Sequence, residues 1–129
     1  AEALGGELLC DLRQAGHPEH YQTEAPAVTT HPIRIEATSQ FARWLGAEEV
    51  QVNSLHRQVV CVVPPGWRAS ASSPEGLIEA MEAESGFGVG CQFHPEWLGE
   101  GQKGFSALFA DFVGACAARG AIGPIQVTG

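Results

Sequence analysis

A chain of 129 residues is the size of one ordinary domain or of part of a larger one, and with 44% hydrophobic residues it can bury a real core. Fifteen acidic residues against 7 basic ones give a formal charge of −8, and Lys103 is the one lysine. That balance offers no basic patch, which argues against nucleic acid and anionic membranes as partners. No apolar run approaches the ~20 residues of a membrane helix. The opening "AEALGGELLCDL" has neither the basic nor the apolar region of a signal peptide. Cys10, Cys61, Cys91 and Cys116 form no CxxC pair. This predicts reduced, mostly buried thiols, no zinc site and a cytoplasmic protein.

In chain order, "ELLCDLRQ" (7–14) reads as a short helix. Residues 15–31 carry Gly16, His17, Pro18, His20, Pro26 and His31 with little periodicity and read as a loop. His17 and His20 stand at i, i+3, but no partner has metal-ligand spacing, so a loop is the expectation there and no metal. "HPIRIEA" (31–37) alternates like a strand. "TSQFARWLG" (38–46) reads as a helix capped by Thr38 or Ser39 and ended by Gly46. "EVQVNS" (49–54) is a strand running into a polar turn. "QVVCVVP" (58–64) is continuously apolar and reads as a covered strand that Pro64, Pro65 and Gly66 end. "WRASASS" (67–73) and "LIEAMEAE" (77–84) both alternate, the second with Leu77, Glu79, Met81 and Ala83 on one face. "FGVGCQF" (87–93) reads as the most buried strand. "GFSALFADFVGACAARG" (104–120) is the clearest helix, with Phe105, Leu108, Phe109, Phe112, Val113 and Cys116 on one apolar face. Frequent strands and a long closing helix place the chain in the α/β or α+β class, with a largely covered sheet and no linker that would split it.

"GCQFHPEW" (90–97) carries the chemistry. In an extended segment, residues i and i+2 point to one side, so His94 and Glu96 can meet just past a strand end. Pro95 between them ends the ladder. A carboxylate beside an imidazole selects its tautomer and stabilises the imidazolium. By itself the pattern also suits a structural histidine at a strand end.

The box "GCQFHPE" resembles the last signature of the class I glutamine amidotransferase superfamily. With Trp97 following, it is similar to the γ-glutamyl-γ-aminobutyrate hydrolase-like branch, the C26 peptidases. "VNSLHRQVV" (52–60), "EALGGELLCDL" (2–12) and "PEGLIEAME" (74–82) resemble further segments of that branch, in the same order, with Arg57 replacing a common second histidine. The resemblance implies a flavodoxin-like class I glutamine amidotransferase sandwich and a Cys-His-Glu triad that hydrolyses γ-glutamyl amides without a cofactor. Carried over by position, His94 is the general acid/base and Glu96 its orienter. Asn53, Ser54 and His56 are candidates for substrate binding or support.

The nucleophile departs from the pattern. The family's cysteine stands in a G-x-C-R-G elbow shortly before the "ALGG" segment, and no G-x-C-x-G occurs in this sequence. "GACAA" (114–118) is its nearest imitation, but Cys116 belongs to a helix face. Cys10, Cys91 and Cys116 read as packing residues, with no visible source of a lowered thiol pKa. The expectation is therefore that residues 1–129 form the C-terminal portion of the domain and are inactive alone. A missing N-terminal half or a partner chain would complete them, and an uncovered apolar face would favour association, including a homo-oligomer. Two alternatives stay open. One is a glutamine amidotransferase domain that supplies ammonia to a synthase partner. The other is a non-catalytic pseudoenzyme or interaction module.

Overall fold

The computed structural model describes residues 1–9, 11–98 and 103–120. Its main sheet has five strands, in the order β3 (Glu49–Val52), β2 (His31–Ile35), β5 (Trp67–Ser72), β6 (Ile78–Ala83) and β7 (Val89–Cys91). Every neighbouring pair in it is antiparallel. A separate two-stranded ribbon pairs β1 (Glu7–Leu9) with β4 (Val59–Val62), also antiparallel. Two helices, α1 (Gln40–Leu45) and α2 (Lys103–Gly120), supply Phe41, Trp44 and Phe105 of the aromatic core, and the segment after β7 supplies Phe93. Phe41, Trp44, Phe105 and Leu108 pack with Ile33, Ile35, Val52, Ala71, Ala80 and Phe93.

The local signals of α1 act as expected. The Ser39 hydroxyl accepts the Ala42 amide at 3.0 Å, and Gly46 takes the left-handed conformation at φ 61° while its N–H returns to the Ala42 carbonyl. A second cap comes from β6. Glu82, buried in the sheet, accepts the Gln40 amide at 2.8 Å at the positive end of α1 and the Arg68 guanidinium at 2.6 Å. Arg68 also donates to the Thr38 carbonyl at 2.8 Å. One carboxylate thus joins β5, β6 and the start of α1.

Three expectations are corrected. Residues 7–14 do not begin a helix: Glu7–Leu9 is a strand paired with β4, and turns follow from Asp11. Cross-strand hydrogen bonds override the weak local helix preference there. The same pairing makes room for Gly6, where a β-carbon would lie 2.6 Å from the Val62 carbonyl oxygen. The apolar run 58–64 is not covered throughout, because β4 sits in a ribbon rather than inside a sheet. Val59 is buried, while Cys61 and Val62 are exposed among the described residues. The apolar face of α2 is covered only at its start. Phe105 and Leu108 are buried, but Phe109, Phe112, Val113 and Cys116 are exposed. The reason is length: α1 has 6 residues and α2 has 18, so α1 can cover only part of its neighbour. Farther along α2, the Trp44 indole N–H donates to Asp111 at 2.6 Å and the Phe112 ring meets the Phe87 ring with centroids 6.2 Å apart.

Gly104 is where α2 meets α1 most closely. A β-carbon there would lie 2.6 Å from the Leu45 α-carbon and 2.9 Å from the Trp44 carbonyl oxygen. Gly104→Ala would gain ~1 kcal/mol of helix propensity, but overpacking against backbone costs about 1–3 kcal/mol. The clash wins. A urea midpoint below wild type at unchanged slope is the expected result, and a raised midpoint would show that the helices separate freely.

Candidate active site

Phe93 anchors the segment that carries the histidine. It is buried among Phe41 and Phe105, with ring centroids 6.3 and 5.6 Å away. His94 follows, and Pro95–Trp97 forms a 3-10 turn. His94 and Glu96 therefore meet through a tight turn rather than along an extended strand end. The Trp97 amide returns to the His94 carbonyl at 3.2 Å. This turn sets the His94 Nδ1 at 2.7 Å from the Glu96 Oε1. Nδ1 carries the proton in that bond, which leaves Nε2 as the basic nitrogen. Both side chains are partly open to solvent, at 43% and 53% exposure. Burial raises the Glu96 carboxyl pKa, but the His94 hydrogen bond, a backbone hydrogen bond and the His94 charge outweigh it and hold the carboxyl below its ordinary value. Glu96 is thus kept ionised as a partner for an imidazolium.

The backbone of His94 is gripped by Asn53, fully buried just past β3. The Asn53 Oδ1 accepts the His94 amide at 2.8 Å, and its Nδ2 donates to the His94 carbonyl at 3.0 Å and to the Pro26 carbonyl at 2.7 Å. One amide group pins the histidine segment, the β3 end and the 15–31 loop together. Ser54 is also buried. Its hydroxyl donates to the His20 carbonyl at 2.8 Å, and its amide donates to the Gln22 side chain at 2.6 Å. The His56 Nδ1 lies 2.8 Å from the Gln58 carbonyl, and its Nε2 faces Glu79 at 3.7 Å. Of these three, Asn53 meets the His94 segment, while Ser54 and His56 turn their polar atoms toward His20, Gln22, Gln58 and Glu79.

None of the described cysteines shows the features of a nucleophile. Burial, aided by the Glu96 charge, pushes the Cys91 thiol up to about 12, so it stays protonated and unreactive. Cys61 and Cys116 are exposed, against the expectation of buried thiols. Cys10 lies outside the described residues. Of the arginines, Arg57 stacks over the Tyr21 ring at 4.6 Å and Arg68 is bound to Glu82, so these two already have protein partners.

Sequence reasoning misses Glu79, which reads there as one residue of an alternating strand face. It is fully buried at the centre of three imidazoles, from His20, His31 and His56. The available signal was two glutamates, Glu79 and Glu82, in a strand otherwise built of Ile, Ala and Met.

The profile of the peptidase C26 family matches residues 1–96. The chain belongs to the peptidase C26 family. Over 123 residues it is 34% identical to the γ-glutamyl-γ-aminobutyrate hydrolase PuuD of Escherichia coli, covering 88% of this chain and 48% of that protein. A glutamine-hydrolysing GMP synthase of Thermus thermophilus is 39% identical over 69 residues, which cover 52% of this chain and 14% of that one. Among solved structures, one assigned as a GMP synthase subunit of Thermoplasma acidophilum superposes with a TM-score of 0.66 over 95% of this chain and 54% of its own, at 19% identity. The fold is that of the class I glutamine amidotransferase sandwich. The C26 chain spans about half the length of the curated hydrolases it matches. No helix among its described residues is long and apolar enough to cross a membrane.

Proposed function

We propose that this C26 chain supplies the histidine and glutamate of a Cys-His-Glu site that hydrolyses γ-glutamyl amides. The observation that carries the reading is the His94 Nδ1–Glu96 Oε1 hydrogen bond of 2.7 Å, which leaves Nε2 as a basic nitrogen on a partly exposed ring. In this mechanism a cysteine thiolate attacks the side-chain carbonyl of the γ-glutamyl group. His94, protonated at Nε2, gives its proton to the departing amine, and a thioester forms. His94 then takes a proton from water as the water attacks the thioester, and free glutamate leaves with the thiolate restored. Glu96 stabilises the imidazolium in both steps without taking its proton. The cysteine comes from a segment outside residues 1–129, so these residues alone are inactive. No step calls for a cofactor.

The test is release of amine and glutamate from γ-glutamyl-aminobutyrate and from glutamine by the full-length protein. Cleavage of neither by folded protein would overturn the proposal. A second reading, a glutaminase domain that feeds ammonia to a synthase, is favoured by the similarity to GMP synthase. It predicts glutamine as the better substrate, with a rate that rises when a synthase partner is added. A non-catalytic role predicts no turnover at all.

Asn53 is proposed as a positioning residue and not as a substrate contact. Because it holds both backbone groups of His94, Asn53→Ala is expected to lower kcat by about 100-fold through misplacement of the imidazole, with KM nearly unchanged. A rise in KM alone would return Asn53 to substrate binding.

A further inference from the structure

Glu79 of β6 is completely buried, and three histidines from other segments converge on it. His20 ends a 3-10 turn in the 15–31 loop, His31 opens β2, and His56 lies between β3 and β4. From the Glu79 Oε1, the His20 Nδ1 is 3.3 Å away, the His31 Nε2 3.6 Å and the His56 Nε2 3.7 Å. The four side chains are 0% to 15% exposed. Among the described residues, both Glu79 oxygens and the Nε2 atoms of all three rings make no hydrogen bond. Leaving such groups unmatched in a protein interior costs several kcal/mol.

The outer nitrogens show what is missing. The His31 Nδ1 lies 3.0 Å from the Pro32 carbonyl, and the His56 Nδ1 lies 2.8 Å from the Gln58 carbonyl. A carbonyl only accepts, so each Nδ1 carries a proton. In the neutral ring, each Nε2 then presents a lone pair to a carboxylate oxygen. The Ser54 hydroxyl beside the His20 Nδ1, at 3.4 Å, already donates to the His20 carbonyl. The lone pairs of His31 and His56 therefore face the lone pairs of a carboxylate oxygen. Protons on the rings would draw the pairs together, as the 2.7 Å His94–Glu96 contact shows in the same molecule. The 3.3–3.7 Å separations here are wider. The His20, His56 and Glu79 ligand atoms all lie within 4.8 Å of one another, close enough to converge on one ion with ligand bonds of ~2.0–2.1 Å after a small inward shift.

We propose that His20, His56 and Glu79, whose ligand atoms cluster in this way, bind one divalent transition-metal ion of the zinc class. Two imidazoles and a carboxylate suit zinc, cobalt or nickel and not calcium or magnesium. Three protein donors leave the fourth tetrahedral position to a further ligand such as water. The Gln58 carbonyl on the His56 Nδ1 fixes that ring's tautomer from outside, and Glu75 stands 3.6 Å from the His20 Nε2 in the same sense. The ion would tie the 15–31 loop to β6 and the β3–β4 turn. Through Ser54 and its neighbour Asn53, it would steady the grip on His94. Spacing along the chain could not show this site, because its three donors come from three separated segments.

The test uses the full-length protein. Its metal content is measured after purification without chelator. The protein is then stripped with a chelator and titrated with zinc and with cobalt. One equivalent per chain and a tetrahedral cobalt spectrum are expected. Glu79→Gln and His56→Ala should each weaken zinc binding by about 100-fold or more, beyond the loss of an outer-shell partner. His17→Ala and His94→Ala should bind as wild type. His17 is the control for an outer His17–Glu19–His20 group, whose potential ligand atoms also cluster. Folded wild type that takes up neither metal would overturn the proposal. So would binding lost in His17→Ala and kept in His56→Ala. Should Glu79→Gln fail to fold, wild-type stoichiometry, the cobalt spectrum and His56→Ala decide.

Discussion

His94→Ala in the full-length protein is expected to reduce γ-glutamyl amide hydrolysis by at least about 10⁴-fold, since one group serves as acid in the first half-reaction and as base in the second. Glu96→Gln should cost less. Glutamine keeps an acceptor oxygen for the His94 Nδ1–H, so the tautomer survives, but the negative charge facing the imidazolium is gone. The decisive comparison is kcat for the two variants at equal, confirmed folding. A His94→Ala enzyme at full rate would remove the histidine from the mechanism. Equal losses in both variants would mean that the Glu96 charge, and not orientation alone, carries most of the effect.

The largest effect on stability is expected at Arg68. Glu82 is almost completely buried and holds the guanidinium through Nε at 3.0 Å and through a terminal nitrogen at 2.6 Å. Arg68→Met leaves that carboxylate with the Gln40 amide as its remaining hydrogen-bond donor among the described residues. Leaving a buried carboxylate without its half-exposed cation costs about 2–3 kcal/mol. Glu82→Leu should cost less, because Arg68 is 43% exposed and can turn to water, although the α1 cap is lost. Replacing both residues should recover part of the Arg68→Met loss, since no uncompensated charge is then buried. Urea unfolding of the three variants checks this. Strict additivity would show that the two side chains do not act as a pair.

What was legible in the sequence was local. Ser39 and Gly46 define α1 through their own hydrogen bonds and dihedral, so residue type alone located both ends. His94 and Glu96 stand two apart, so their meeting could be anticipated, although a 3-10 turn produces it rather than an extended strand. The parts that differ depend on distant partners. Glu7–Leu9 is a strand because of Val59–Val62, and the coverage of α2 is decided by how short α1 is. The same holds for the site. Asn53 grips His94 across 41 positions of sequence; the resemblance marked Asn53 but not this contact. The burial of Glu79 among three imidazoles needs the antiparallel sheet to be assembled first.

Whether His94 serves a cysteine acting on γ-glutamyl groups can be read from one intact mass. The full-length protein is incubated with a γ-glutamyl analogue that carries an electrophilic carbon in place of the amide, and the adduct is weighed and located. One equivalent is expected, bound to one cysteine outside residues 1–129, with labelling prevented by excess substrate and slowed by His94→Ala. No labelling, or labelling of the exposed Cys61 or Cys116 without protection by substrate, would contradict this role.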